Sequence, residues 1–307
     1  MELPPTTTYL LPHSSLDPPN GQVATATILL IHGAFSSRGE WDLVVPFLKT
    51  ASDVNYHLLL PDLPCHGAAQ VVPPGDSLSQ DGKDVRQPQA AFSVRHSSSL
   101  VAHLIRQKAI GGRAKVVGMS LGAIVAVDLA STFPDVVDEA VFVSGYEIFP
   151  GWSPSGLAPY GLWMMKRIES AAPRSLVKWL MDGADIQGGS SSDDQSEITQ
   201  NGSSLALCRD MVAAISGSGP QQEWPPPSWP ARTLIVAAGK RSILPTSDHP
   251  EDAKRLARIG RELNADTVAM THPLMRHPWN CQDPKLFAET TCAWFERRPV
   301  PDGFVPI

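Results

Sequence analysis

A serine between two glycines, Ser120 in the segment GMSLG, has the residue type and the setting for covalent catalysis. The run KVVG precedes it, and apolar residues at helical spacing follow it until Phe133 and Pro134. On a sharp turn between a strand and a helix, such a serine holds its hydroxyl clear of the sheet. Gly118 and Gly122 suit this turn because the backbones crowd there. The alternative is an ordinary turn in which the serine caps the helix.

Six short apolar runs predict the strands that would position this serine. In chain order they lie in TATILLIHGAF, where the strand continues into a turn, YHLLLPDLPCHGAA, AKVVGMS, EAVFVSGYE, ARTLIVAAG and ADTVAMT. Most of these runs do not alternate with polar residues, which is typical of strands buried on both faces, and helical patterns separate most of them. We therefore expect an α/β fold with a mostly parallel sheet and crossover helices.

The interval between the fourth and fifth runs, residues 148–230, breaks this alternation and predicts a cap inserted into a core of residues 1–147 and 231–307. Its first part has a helical pattern with an apolar face, which would either line a substrate pocket or pack within the cap. Three large side chains lie on that face: Trp163, Met164 and Trp179. The polar residues of about 183–204 predict a flexible segment.

The composition favours a small-molecule partner. The chain has 25 Lys and Arg against 31 Asp and Glu, and its net charge of -6 gives no electrostatic reason to expect binding to nucleic acid. The 4 cysteines show no metal-binding or disulfide spacing, and no segment has the pattern of a signal peptide or a membrane span. We expect a cytoplasmic protein that needs neither a cofactor nor a metal. The oligomeric state stays open.

The serine turn, the strands and the insertion together resemble the α/β-hydrolase family. The turn HGA at residues 32–34 is similar to the one by which these enzymes supply an oxyanion donor, and it is most similar to the plant methylesterase and hydroxynitrile-lyase branch. The resemblance implies an oxyanion hole formed by the backbone N–H groups of Ala34 and Leu121, with His32 bracing the loop. The segment PDLPCHG departs from the family pattern at Cys65, where glycine is expected.

The resemblance also implies a general base after the last strand, where two histidines are available. In the family a proline that begins the last helix follows this histidine by several residues, and Pro284 stands in that register to His277, whereas His272 is too far upstream. A neutral imidazole at His277 would take the proton of Ser120 and return it to a leaving group. The alternative is a partly buried histidine with a structural role.

The expected acid is missing from both of its usual places. After the fifth strand, where the family has an aspartate, the chain has Ser242, and the other usual place, after the preceding strand, holds Ser144. Asp248 and Glu147 are the nearest carboxyl groups that could orient His277. Asp248 also precedes a helical pattern as an N-cap residue would. The sequence therefore leaves Asp248, Glu147 and a serine–histidine dyad without an acid as open arrangements.

Functions of three classes follow from the resemblance. A hydrolase would cleave an ester, lactone or thioester of a hydrophobic small molecule through an acyl-enzyme on Ser120, with His277 as base. A dyad would favour activated acyl groups, or else a lyase, a cyclase or an enzyme that cleaves C–C bonds, activities that similar folds have in fungal secondary metabolism. A binding protein would keep the pocket without the chemistry.

Overall fold

The computed structural model describes residues 10–69, 92–149, 151–171, 204–241 and 247–307. The strands are β1 (His13–Leu16), β2 (Ala26–Ile31), β3 (Tyr56–Pro61), β4 (Ala114–Met119), β5 (Val137–Ser144), β6 (Arg232–Ala238), β7 (Val268–His272) and β8 (Val305–Pro306). They form one eight-stranded sheet in the order β1-β3-β2-β4-β5-β6-β7-β8. The six strands β2 to β7 pair in parallel with one another. The predicted α/β architecture with a mostly parallel sheet is confirmed.

The two edge strands, β1 and β8, are not among the predicted ones. Strand β1 pairs antiparallel with β3, and β8 pairs antiparallel with β7. Both are short, and their residues are partly or fully exposed. Neither strand therefore has the apolar run that marks the buried strands.

Helices cover both faces of the sheet. They are α1 (Val45–Leu48), α2 (Val94–Lys108), α3 (Leu121–Thr132), α4 (Ala158–Ala171), α5 (Leu205–Ile215), α6 (Pro250–Arg261), α7 (Trp279–Gln282) and α8 (Pro284–Phe295). In β2, Leu29 and Ile31 belong to the apolar cluster with α2 and α3, whereas Ile28 and Leu30 belong to the cluster with α8. Burial on both faces explains the uninterrupted apolar runs of the sequence. None of the described helices is long and apolar enough to cross a membrane.

The register of the sheet aligns the carboxyl ends of the central strands. Ile31 of β2 pairs with Gly118 of β4, and Met119 pairs with Ser144 of β5. The residues that follow these strands therefore meet at one edge of the sheet, which is where α/β folds place their ligands.

The insertion between β5 and β6 contributes α4 and α5 to the described structure. Helix α4 confirms the predicted helical pattern as far as Ala171, and the rest of that pattern lies outside the described residues. The division into a core and a cap stays a prediction. Of the segment expected to be flexible, residues 183–203 lie outside the described part of the chain.

Helix α5 is not predicted by the sequence analysis. Ser204 caps it by accepting a hydrogen bond from the backbone N–H of Leu207 at 3.1 Å. Leu207, Met211 and Ala214 lie on one side and pack into the same apolar cluster as α3. Helix α5 therefore belongs to the insertion in sequence, but its apolar side packs into the interior of the protein together with α3.

Candidate active site

Ser120 lies on a strained turn between β4 and α3. Its backbone has φ 55° and ψ -116°, a conformation that L residues with a side chain rarely adopt. Its N–H donates a hydrogen bond to the carbonyl oxygen of Ser144 at 2.8 Å. A Cβ added to Gly118 would lie 2.3 Å from the carbonyl oxygen of Gly122, and one added to Gly122 would lie 2.2 Å from that of Ile31. The crowding predicted for both glycines is confirmed.

The residues expected to supply oxyanion donors flank this serine. Ala34 follows Gly33, and a Cβ added to Gly33 would lie 3.4 Å from the Cβ of Ser120. Leu121 is the first residue of α3. Ser120 is the N-cap residue of α3, but within the described residues its side chain makes no capping hydrogen bond, so its hydroxyl does not serve as the helix cap. Backbone N–H groups in such a turn and at a helix start are suited to hold an oxygen that develops negative charge.

His32 braces the turn that carries Ala34. Its Nδ1 donates to the carbonyl oxygen of Gly33 at 2.7 Å, and its Nε2 accepts the backbone N–H of Leu63 at 3.0 Å. Burial lowers the pKa of His32 to about 4, so the ring is neutral at neutral pH, as this donor and acceptor pair requires. The bracing role that the resemblance implies is confirmed.

The loop after β3 has the backbone conformation for which the family uses glycine. Cys65 has φ 64°, in the left-handed region. The loop is held by Asp62, which accepts the backbone N–H of Arg38 at 2.7 Å and that of Ala68 at 2.9 Å. The departure at Cys65 therefore changes a side chain and leaves the turn in place.

His277 and Asp248 are in direct contact. The Nδ1 of His277 donates to Oδ1 of Asp248 at 2.5 Å, and the backbone N–H of Ala238 donates to Oδ2 at 2.7 Å. The side chain of Asp248 is 1% exposed and that of His277 is 14% exposed. The N-cap residue of α6 is His249, so the interpretation of Asp248 as the cap is wrong. Asp248 is thus the carboxyl group that holds the Nδ1 of His277.

The end of β5 brings His277 to the same edge of the sheet as Ser120. Gly145 has φ 67°, and a Cβ added to it would lie 2.5 Å from Cε1 of His277, so a glycine is needed for the ring to fit. The preceding residue, Ser144, holds the N–H of Ser120 with its carbonyl oxygen. Its hydroxyl accepts a hydrogen bond from Nε1 of Trp279 at 2.7 Å. The other usual acid position, Ser242, lies outside the described residues.

Carboxyl groups on three segments determine the charge state of His277. Burial lowers the pKa of this histidine, but Asp248, Glu147 and Glu40 together outweigh burial and raise the pKa to about 9. Glu147 is buried, and burial, followed by repulsion from Asp248, raises its pKa to about 8. Asp248 and Glu147, left as alternatives by the sequence, therefore both lie near the histidine.

Glu40 and Asn280 belong to no motif of the sequence. They connect the turn of residues 32–35, called the oxyanion turn because Ala34 is the expected oxyanion donor, to the histidine segment, residues 273–283, which carries His277. The backbone N–H of Gly33 donates to Oε2 of Glu40 at 2.9 Å, and Nδ2 of Asn280 donates to Oε1 at 3.0 Å. Burial raises the pKa of Glu40, and these hydrogen bonds oppose the rise. In the sequence, the only sign of this link is that Glu40 directly precedes an apolar residue, Trp41, and this sign is weak. The partner, Asn280, lies 240 positions away.

Helix α4 lies against the oxyanion turn. The Nζ of Lys166 lies 5.1 Å from the ring centroid of Phe35, the residue after Ala34. Leu162 and Phe35 are partly buried against the main apolar cluster. The first helix of the insertion therefore stands next to the residues that would surround a substrate.

The three large side chains expected at the pocket have different surroundings. Trp163 is partly buried, and the guanidinium carbon of Arg167 lies 5.2 Å from its ring centroid. Met164 is 58% exposed. Trp179 lies outside the described residues. The assignment of these residues to a substrate pocket stays a prediction.

Comparison with known proteins places these observations in one family. The sequence model of the alpha/beta hydrolase family matches residues 28–290. The chain is 32% identical over 278 residues to an AB hydrolase superfamily protein of Gibberella zeae, covering 91% of this chain and 83% of that protein. It is 31% identical over 116 residues to Esterase Rv0045c of Mycobacterium tuberculosis, covering 38% of this chain and 32% of that protein. A thermophilic esterase of Thermogutta terrifontis has a similar fold, with a TM-score of 0.58 and 18% identity over 93% of each chain.

Proposed function

The chain belongs to the alpha/beta hydrolase family, and from this premise we propose that it hydrolyses an ester, lactone or thioester of a hydrophobic small molecule through an acyl-enzyme on Ser120. The observation that supports this most is the contact of 2.5 Å between His277 and Asp248. With a carboxylate at Nδ1, the histidine has the partner that a base needs for acyl groups without special activation. The esterase among the sequence relatives favours the same reaction class.

Acylation would begin when Oγ of Ser120 attacks the carbonyl carbon and Nε2 of His277 takes the hydroxyl proton. The N–H groups of Ala34 and Leu121 would hold the oxygen that becomes negative. The bond from carbon to the leaving oxygen or sulfur then breaks, and the imidazolium gives its proton to the departing alcohol or thiol. Asp248 keeps the histidine in the required tautomer and stabilises its positive charge during the step.

Deacylation would use the same groups in reverse order. A water molecule attacks the acyl carbon while Nε2 of His277 takes one of its protons. The bond between the acyl carbon and Oγ of Ser120 then breaks, and the proton passes from His277 to the serine. The hydroxyl of the water remains on the carboxylic acid product, so atoms and charges balance without a cofactor.

The surroundings of the oxyanion turn support an apolar substrate. Phe35 and Leu162, on the turn and on the helix above it, are apolar and partly buried. Trp163 on the same helix is also partly buried. Side chains of this kind bind acyl or alcohol groups through apolar area rather than charge.

Covalent labelling of Ser120 tests the proposal. We expect a fluorophosphonate to label the wild-type protein and p-nitrophenyl esters to be hydrolysed, and both to be lost in Ser120→Ala because the attacking oxygen is gone. Ser131→Ala is the matched control, since Ser131 lies on α3 and its hydroxyl donates to the carbonyl oxygen of Asp128. This variant should keep both activities.

Other outcomes of this experiment would contradict the proposal in recognisable ways. Labelling that persists in Ser120→Ala would exclude this serine as the nucleophile. Full labelling of the wild type without turnover of any ester or thioester would favour the lyase or cyclase. A wild-type protein that is neither labelled nor active would favour the binding protein.

A further inference from the structure

Glu147 is a buried carboxyl group that the proposed reaction does not use. The residue is 7% exposed. The backbone N–H of His249 donates to its carboxylate, while its Oε1 has no hydrogen-bond partner within the described part of the chain. A buried polar atom without a partner is uncommon in native proteins, because its desolvation is not compensated. This position therefore needs an explanation other than structural stability.

The loop after β5 places Glu147 beside both members of the His277–Asp248 pair. The donor to Glu147 is the backbone of His249, the residue directly after Asp248. On the other side, Gly145 stands two positions before Glu147 and packs against the ring of His277. The loop after β5 thus makes two contacts. Gly145 contacts the ring of His277, and the carboxyl group of Glu147 contacts the backbone next to Asp248.

The other ionisable groups near this cluster come from two further elements. Asp252, in the first turn of α6, is close enough to repel the negative charge of Glu147 and so to raise its pKa. Glu40, on the side of the oxyanion turn, acts on His277. Asp248 acts on both Glu147 and His277.

We propose that Glu147 is a positioning residue, a second carboxyl group beside Asp248 that attracts the imidazolium of His277 through space and thereby sets the pH range in which this histidine works as a base. Asp248 fixes the ring through Nδ1, and Glu147 acts on the histidine through space. The catalytic consequence rests on the proposed function, whereas the effect on the protonation of His277 does not.

The direction of the effect follows from the coupling between the two groups. A Glu147 carboxylate and a His277 imidazolium attract each other, so the pair keeps one proton at a pH at which a lone histidine would already be neutral. Burial, followed by repulsion from Asp248, raises the pKa of Glu147 to about 8, and the imidazolium opposes this rise. Burial lowers the pKa of His277, but attraction to Asp248, Glu147 and Glu40 outweighs burial and raises it to about 9. Glutamine at position 147 cannot form the carboxylate. Because the pKa of Glu147 lies below that of His277, the carboxylate is present when the native histidine loses its proton, and its removal lets the histidine become neutral at lower pH.

NMR titration of the His277 ring in the resting protein, with Glu147→Gln, tests the proposal without the need for a substrate. We expect the titration midpoint of His277 to fall by about one unit. The acidic limb of the pH profile of kcat/KM should move down by the same amount, and kcat on the plateau should change little. A merely structural role of Glu147 would lower stability without moving either pH value.

Asp252→Asn is the matched control. It removes a charge that repels Glu147, so the carboxylate of Glu147 forms more easily and continues to attract the imidazolium. The midpoint of His277 should therefore stay in place or rise. A fall as large as in Glu147→Gln would assign the effect to general charge removal and would overturn the proposal.

An unchanged midpoint in a folded Glu147→Gln protein would also overturn the proposal. If this variant does not fold, Glu147→Met, which fills a similar volume without a polar atom, gives the same readout. The two proposals fail separately. A fall of the midpoint in a protein that hydrolyses no ester supports the role of Glu147 and contradicts the hydrolase, whereas turnover with an unmoved midpoint and acidic limb contradicts only the role of Glu147.

Discussion

The turns at the carboxyl ends of β4 and β5 and helix α4, which belongs to the predicted cap, are held by contacts of different kinds. At Gly118, Gly122 and Gly145, an added Cβ would come within 2.5 Å of a backbone atom or of the His277 ring. Helix α4 meets the oxyanion turn through side chains, such as Lys166 above Phe35. Backbone crowding allows one arrangement, whereas side chains on a partly exposed helix can adopt several. We therefore expect the strand ends to determine the rate of the reaction and the cap to determine which substrate binds.

The largest effect is expected for Asp248→Asn, in the loop after β6, where the carboxylate is held by the backbone of Ala238 at the end of that strand. The amide can still accept the N–H of Ala238, but it favours the wrong tautomer of His277 and cannot offset the charge of the imidazolium. Turnover of p-nitrophenyl esters should fall by about four orders of magnitude, with little change in KM. A decrease of less than about threefold in steady-state kinetics, with an unchanged melting temperature, would show that His277 works without this acid.

Asp248 also illustrates which parts of the site can be predicted from the sequence and which cannot. The strands and the serine turn are encoded locally, by apolar runs and by two glycines around Ser120, so they could be predicted. The contact of Asp248 with His277 spans 29 positions and depends on the path of a loop, so the sequence left it among several alternatives. The pair of Glu40 and Asn280 spans 240 positions and could not be predicted. The edge strands lack an apolar run, so local patterns did not reveal them.

A smaller effect is expected for Glu40→Gln, which disturbs the link between the oxyanion turn and the histidine segment. Glutamine has only one oxygen that can accept a hydrogen bond, and its other terminal group is an NH₂ donor. One of the two donors, the N–H of Gly33 or the NH₂ of Asn280, would therefore lose its acceptor and lie against the NH₂ of the glutamine. The resulting displacement of Ala34 relative to the base should reduce kcat about 10- to 100-fold while KM changes little. Steady-state kinetics on one small ester measures both values.

The exchange of the two side chains provides the control for this link. In Glu40→Gln combined with Asn280→Asp, the amide introduced at position 40 can donate to the new carboxylate while its oxygen still accepts from Gly33. Both hydrogen bonds are then restored, and the bond between positions 40 and 280 has its donor and acceptor exchanged. We therefore expect this double variant to recover most of the lost kcat. If the two losses simply multiplied, the pair would not act as a bridge, and the tight coupling that we assign to the strand ends would not extend to this turn.

The smallest effect is expected in the cap, where Trp163→Ala and Met164→Ala are neighbouring changes on one helix. Trp163 is partly buried, whereas Met164 is 58% exposed. If the ring of Trp163 borders the substrate, its removal should raise KM for bulky apolar esters by about tenfold, equivalent to ~1.4 kcal/mol of lost apolar contact. KM for an acetate ester and kcat for both substrates should stay nearly constant, and Met164→Ala should change none of these values.

Kinetics with a matched series of acyl chain lengths would reveal the dependence on size. Equal losses for short and long chains would place Trp163 in the packing of the cap itself, and a fall in kcat would show that the cap, too, determines the rate of the chemistry.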